Sequence, residues 1–208
     1  ADATWLLDHH EIHLVLQANP DGRKMAESGL YWRKNTNQNY CGVGSFWRGA
    51  DLNRNFPFQR NCCGGSSGDP CANDYRGIAP ISAPEVSAVV DYARQIFTDQ
   101  RGPDINDAAP ADATGVSIDV HAYGELVLWP WGHTGALAPN DIALQTLGRK
   151  LAYETGYWAE QAIGLYPTDS TTADFFYGDL GVSAFTFELW TEFFEECNPY
   201  EGIGRAHA

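Results

Sequence analysis

Short apolar runs alternate along this chain with segments whose apolar residues recur at helical spacing, and this alternation is the strongest constraint on its fold. Ile12 to Gln17 (IHLVLQ) reads as a buried strand, and Gly115 to Val120 (GVSIDV) and Val182 to Leu189 read as strands. The first is closed by a turn signal at Asn19-Pro20-Asp21-Gly22, and the last follows a turn at Gly178 to Gly181. Between them, Val86, Val89, Val90, Ala93, Ile96 and Phe97 share one helical face, opened by the capping-box pattern Ser82-Ala83-Pro84-Glu85 and ending near Phe97. A second amphipathic helix is expected over Asn140 to Thr155, with Ile142, Leu144, Leu147 and Leu151 apolar. With no internal repeat, the pattern predicts an α/β fold: a mixed, mainly parallel sheet flanked by helices, with sites where strands end and loops begin.

The chain has 208 residues, 44% of them hydrophobic, enough for one domain spanning 1–208 and too few for two. Its 27 acidic residues against 13 basic ones give a net charge of −14, which opposes nucleic acid and anionic membrane surfaces as partners. No apolar run approaches the roughly 20 residues needed to span a bilayer, and ADATWLLDHH does not have the form of a signal peptide. Cys41, Cys62, Cys63, Cys71 and Cys197 lack the matched spacing of zinc knuckles and point to disulfides in an oxidising compartment. Their pairing is open, and the odd number leaves one thiol free or paired outside the chain. The stretch Cys41 to Ala79 is dense in Gly, Asn, Cys and Ser and predicts a long ordered loop region, while 101–115 reads as a surface linker.

Several residues have side chains suited to chemistry. His121, at the end of a predicted strand, is placed as a metal ligand would be; the plainer alternative is a histidine that only donates a hydrogen bond. Glu188 stands in Phe185-Thr186-Phe187-Glu188-Leu189-Trp190, where burial would raise its pKa toward that of a general base. Strand parity alone instead groups it with Thr186 on a solvated face, opposite Phe185, Phe187 and Leu189. In Asp51-Leu52-Asn53-Arg54-Asn55-Phe56 a guanidinium lies beside two amides, the groups that grip a carboxylate, and Arg33 is available to join them; surface salt bridges are the alternative. His9-His10-Glu11-Ile12-His13 is not HExxH and reads as a polar loop entering a strand.

Taken together and in order, Asn19-Pro20-Asp21-Gly22, Trp32-Arg33-Lys34, Asp51-Leu52-Asn53-Arg54-Asn55, Asp74-Tyr75-Arg76-Gly77, His121-Ala122-Tyr123-Gly124, Tyr166 and Phe185-Thr186-Phe187-Glu188-Leu189 resemble the zinc metallocarboxypeptidases, the group of carboxypeptidases A, B and T. The Cys-Cys-Gly-Gly-Ser-Ser run looks most like the bacterial carboxypeptidase T branch, which implies a secreted, extracellular and bacterial protein. The resemblance implies one catalytic Zn2+ with His121 as a ligand, Glu188 as general base, Arg33 steadying the oxyanion, Asn53 and Arg54 holding the substrate's terminal carboxylate, and Tyr166 closing over it. The implied partners are peptide or protein C-termini, met by a monomer. The family's side-chain-reading position falls on Ala173, which argues against strict lysine or arginine preference, whereas Asp169 would attract a basic side chain if it faced the pocket. The family's His-x-x-Glu zinc motif has no counterpart in the sequence and the chain stops 20 residues after Glu188, so an incomplete domain is expected. Two other functions stay open: a bacterial cell-wall peptide hydrolase of the same fold, and a metal-free peptide-binding pseudoenzyme.

Overall fold

A computed structural model describes residues 2–194. Its sheet has the order β1-β4-β2-β3, from β1 (Val116–Ala122), β2 (Leu126–Trp129), β3 (Trp158–Gln161) and β4 (Ser183–Leu189). β1 pairs with β4 and β2 with β3 in parallel, whereas β2 runs antiparallel to β4, so the sheet is mixed as expected. The central strand, β4, buries Ala184, Phe185 and Phe187. Register sets Phe185 and Phe187 on the same face as Trp129 and Val127, and α4 (Asp141–Thr155) packs there. Gly148 of α4 lies so close that a Cβ would meet the Trp129 ring. α5 (Thr172–Leu180) packs against β4 and β1, and its Phe175 and Tyr177 join Val86 and Val90 of α3 (Pro84–Ile96) in one core.

Local chemistry explains several departures from the sequence reading. The predicted capping box is not made: Ala83 caps α3 without a side-chain bond, and the Ala83 N–H donates to Oδ1 of Asn55 instead. Asn19-Pro20 starts a helix, α2 (Pro20–Glu27), rather than a turn, because Asn19 accepts from the Gly22 N–H and Pro20 occupies the first helical position. Ile12 to Gln17 is not a strand. It pairs with nothing in the sheet, and Leu14 and Leu16 are 74% and 89% exposed, since apolar character alone does not make a ladder. His9 ends a helix not foreseen, α1 (Asp2–His9), so the histidine-rich run is part helix and part loop. Ile142, expected inside, is 84% exposed, and Gly178 lies within α5, where the Phe58 ring leaves no room for a side chain. The short strands β2 and β3 and the helix α5 also escaped the sequence reading.

The long loop region is ordered as expected. Cys41 bonds Cys71 across it, Cys62 bonds its neighbour Cys63, and Cys197 lies outside the described residues. Lys34 donates to the carbonyls of Trp47, Pro70 and Ala72 and so ties the loop to the segment before it. The 101–115 linker lacks regular structure, and Arg101 pins it by donating to the carbonyls of Asp104, Ile105, Asp107 and Gly178. Among the described residues no helix is long and apolar enough to cross a membrane.

Asn55 joins these parts. Fully buried, it donates to the carbonyls of Arg76 and Ala79 and to Ser82 Oγ while accepting from Ala83. Asn55→Asp would set a carboxylate against two carbonyls, and urea unfolding should show a loss of about 3 kcal/mol or more.

Candidate functional site

The site begins with a buried carboxylate. Asp51, 2% exposed, accepts through Oδ2 from Nε of Arg33 at 2.8 Å and through Oδ1 from the Asn53 N–H at 3.0 Å. The second bond caps the 3₁₀ turn Leu52–Arg54, so one side chain aims both Arg33 and the turn that carries Asn53 and Arg54. The two segments run side by side, with the Asn35 N–H donating to the Ala50 carbonyl and the Ala50 N–H to Asn35 Oδ1. Gly49 permits this approach: its φ is +94°, and a Cβ there would run into the Asn35 carbonyl.

Arg54 is buried, donating through Nε to the Gly65 carbonyl at 2.9 Å and through Nη1 to the Asn53 carbonyl at 2.6 Å. It makes no ion pair with a described carboxylate within 4.0 Å. The Asn53 side chain reaches the sheet. Its Oδ1 accepts from the backbone N–H of Thr172 at 2.8 Å, and its Nδ2 lies 3.3 Å from Nε2 of His121.

His121 and Glu188 are partners in the β1–β4 register and share a sheet face with Asp119 and Thr186. This face is the one parity had assigned to solvent, but the Asn53 turn and the start of α5 cover it, leaving Glu188 half-buried. Nε2 of His121 lies 2.8 Å from Oδ2 of Asp119. With its proton on Nε2, the ring donates to Asp119, keeps its lone pair on Nδ1 and offers Asn53 no acceptor.

Electrostatics separates the roles. Burial, the largest influence, raises the Glu188 carboxyl above the ordinary range, Asp119 adds to the rise, and the charges of His121 and Arg33 oppose it. Burial also disfavours charge on His121, but the Asp119 carboxylate, by charge and hydrogen bond, raises it overall. Burial works likewise against the Asp51 carboxylate, yet Arg33, Arg54 and the hydrogen bonds hold it below the usual range. Arg33 is in turn held charged by Asp51, with Tyr166 and Glu188 near enough to contribute.

The structure therefore brings Arg33, Asn53, Arg54, His121 and Glu188 together. Tyr166 stands beside them, 46% exposed. Ala173 is buried in the first turn of α5, one residue after the partner of Asn53. Asp169 does not face an open pocket: it is wholly buried and accepts from the Gly65 N–H and the Ser66 hydroxyl. Sequence reasoning assigned no role to Asp51, Asp119 or Thr172. Asp119 carried a usable signal, since it stands two before His121 and so on the same strand face.

A catalytic zinc takes three protein ligands. Among the described residues, no group of three or more His, Cys, Asp or Glu is placed to hold a metal ion. His121 offers one nitrogen, and Asp119 is engaged with that ring, so the described residues alone do not make a complete zinc site.

The family model described as zinc carboxypeptidase matches residues 1–198. A metallocarboxypeptidase A-like protein of Trichophyton verrucosum is 36% identical over 151 residues, covering 71% of this chain and 31% of that protein. Mast cell carboxypeptidase A of Homo sapiens is 32% identical over 195 residues, covering 89% of this chain and 42% of its own length. The chain thus spans less than half the length of these relatives. Among solved structures, carboxypeptidase A from Helicoverpa armigera shares the fold at a TM-score of 0.71 and 22% identity, over 91% of this chain and 46% of that one.

The Asp51 carboxyl, held below its ordinary value, stabilises the fold above the usual carboxylate range, and this contribution is lost as pH falls through the lowered value. Asp51→Asn should cost about 2–4 kcal/mol at neutral pH, by thermal or urea unfolding, and should flatten the acid limb of the stability curve.

Proposed function

Because this chain belongs to the zinc carboxypeptidase family, we propose that it forms the part of an exopeptidase site that reads a peptide's free C-terminus and moves the proton during hydrolysis of the last peptide bond. The observation that carries this reading is the convergence of Arg33, Asn53 and Arg54, all aimed through Asp51, on the register pair His121 and Glu188.

The family implies a zinc cofactor, and we assign His121 to a single zinc ion through Nδ1, because Nε2 faces Asp119. The described residues supply no further ligand set, so no step is routed through the ion. The chain's own residues have distinct tasks. Asn53 and Arg54 together offer N–H groups to the terminal carboxylate, a recognition that an internal peptide bond cannot satisfy. Arg33, kept charged by Asp51, faces the oxygen that becomes negative as the carbonyl is attacked. Glu188, with its carboxyl raised, takes a proton from water and returns it to the leaving amine. Tyr166, half in solvent, is free to close over the bound residue.

Ala173 offers no charge to a substrate side chain, and the carboxylate of Asp169 is consumed by Gly65 and Ser66. Both support a broad apolar or mixed preference. The two disulfides support a secreted protein, and the Cys62-Cys63-Gly64-Gly65 run keeps the bacterial carboxypeptidase T branch as our choice of origin.

In a longer protein that supplies the remaining zinc ligands, N-blocked peptides ending in Phe or Leu should be cleaved faster than those ending in Arg, and C-terminal amides should resist. Glu188→Gln should lower kcat at least about 100-fold with little change in KM. Since the working base is the deprotonated carboxylate, the rate should fall as pH drops through the raised Glu188 value, and Gln should abolish that limb. Cleavage of the amide as fast as the acid would overturn the chain-end reading. Chelator-insensitive peptide binding with no hydrolysis would favour a binding protein.

A further inference from the structure

An asparagine amide has one face that only accepts and one that only donates, and the two are nearly the same shape. Only the donating face can hold a carboxylate. Which face Asn53 presents is decided on the far side of its side chain, by Thr172. The Thr172 backbone N–H, a donor and nothing else, lies 2.8 Å from Asn53 Oδ1, and the Thr172 hydroxyl lies 3.0 Å from the same oxygen. Thr172 opens α5, where the first backbone N–H groups have no partner within the helix. The Thr171 hydroxyl caps the Asp174 N–H, which leaves that of Thr172 for Asn53.

We infer that Thr172 is a positioning residue that fixes the sense of the Asn53 amide, turning its NH2 toward the ligand and thereby setting the preference for a free C-terminal carboxylate over a carboxamide. The inference rests on the reading that Asn53 holds the carboxylate, and Thr172 itself touches no ligand. Reversing the amide would place Nδ2 against the Thr172 N–H, two donors face to face, and would turn Oδ1 toward the ligand's negative charge. The backbone N–H and the hydroxyl meet the same oxygen and hold the sense together, so loss of the hydroxyl alone loosens it.

N-acetyl-alanyl-phenylalanine and its C-terminal amide can be titrated into the chain by NMR, with a chelator present so that no metal contributes. The unaltered chain should prefer the free acid at least about tenfold. Thr172→Val keeps the shape and the backbone N–H but removes the hydroxyl. It should weaken the free acid about three- to tenfold and leave the amide unchanged, and Thr172→Ser should restore binding. In an Asn53→Ala background the Val substitution should have no further effect, because the amide it positions is gone. Equal weakening of both ligands, or undiminished acid binding by a folded Thr172→Val, overturns the assignment. If Thr172→Val does not fold, Thr172→Ala read in the same way decides. An unaltered chain that does not distinguish acid from amide overturns the carboxylate reading itself, and this inference with it.

Discussion

The candidate site depends on the burial of Asp51 between Arg33 and the 3₁₀ turn. A carboxylate removed from water is costly unless its charge is met and its oxygens are hydrogen-bonded. Asp51 satisfies this with one oxygen for each neighbour, and the geometry that relieves its own cost is the geometry that orients the site. Arg33 takes its direction from Oδ2, while Asn53 and Arg54 take theirs from the turn capped by Oδ1. In a protein carrying a net charge of −14, this arrangement keeps two guanidinium groups, Arg33 and Arg54, at one site.

A second arrangement comes from the sheet. Parallel pairing of β1 with β4 sets His121 opposite Glu188 and Asp119 opposite Thr186. Neither strand carries the pairing in its own periodicity; it follows from where α5 returns the chain to the sheet. The same return brings Thr172 to Asn53, so the Asn53 turn is hydrogen-bonded to the start of α5 and its amide lies 3.3 Å from the His121 ring. The Asp119 carboxylate makes the His121 ring more basic, while burial makes Glu188 a stronger base than an exposed carboxylate. Neighbouring groups thus reach different protonation behaviour from one local environment.

Several elements were legible in the chain. The strand ending in Leu189 and the helices over 84–96 and 141–155 show as runs because each buries apolar residues repeated at the matching period, whereas the strand ending in Ala122, also foreseen, leaves Val116, Ile118 and Val120 exposed. Elements whose apolar residues are few or packed all round were not legible. α5 is buried on nearly every side and so shows no stripe, and β2 and β3 are four residues each, too short for a period to emerge. The error at Ile12 to Gln17 has the opposite cause. Its composition is that of a strand, but strand formation needs a hydrogen-bonding partner, which composition does not contain.

The sequence by itself determined the residue types of the site and, through a set of motifs in a recognisable order, the family. It also determined the α/β class, the ordered loop region and an acidity that opposes polyanionic partners. Only the tertiary structure decided that Glu188 is half-buried rather than solvated, that Asp169 is spent on Gly65 and Ser66, and that Asp51, Asp119 and Thr172 hold the site residues in place. The physical reason is that solvation and hydrogen-bond partnership are properties of pairs brought together from distant parts of the chain. Asn53 and Thr172, 119 positions apart, are such a pair. Local periodicity reports which face a residue shares, but not what covers that face.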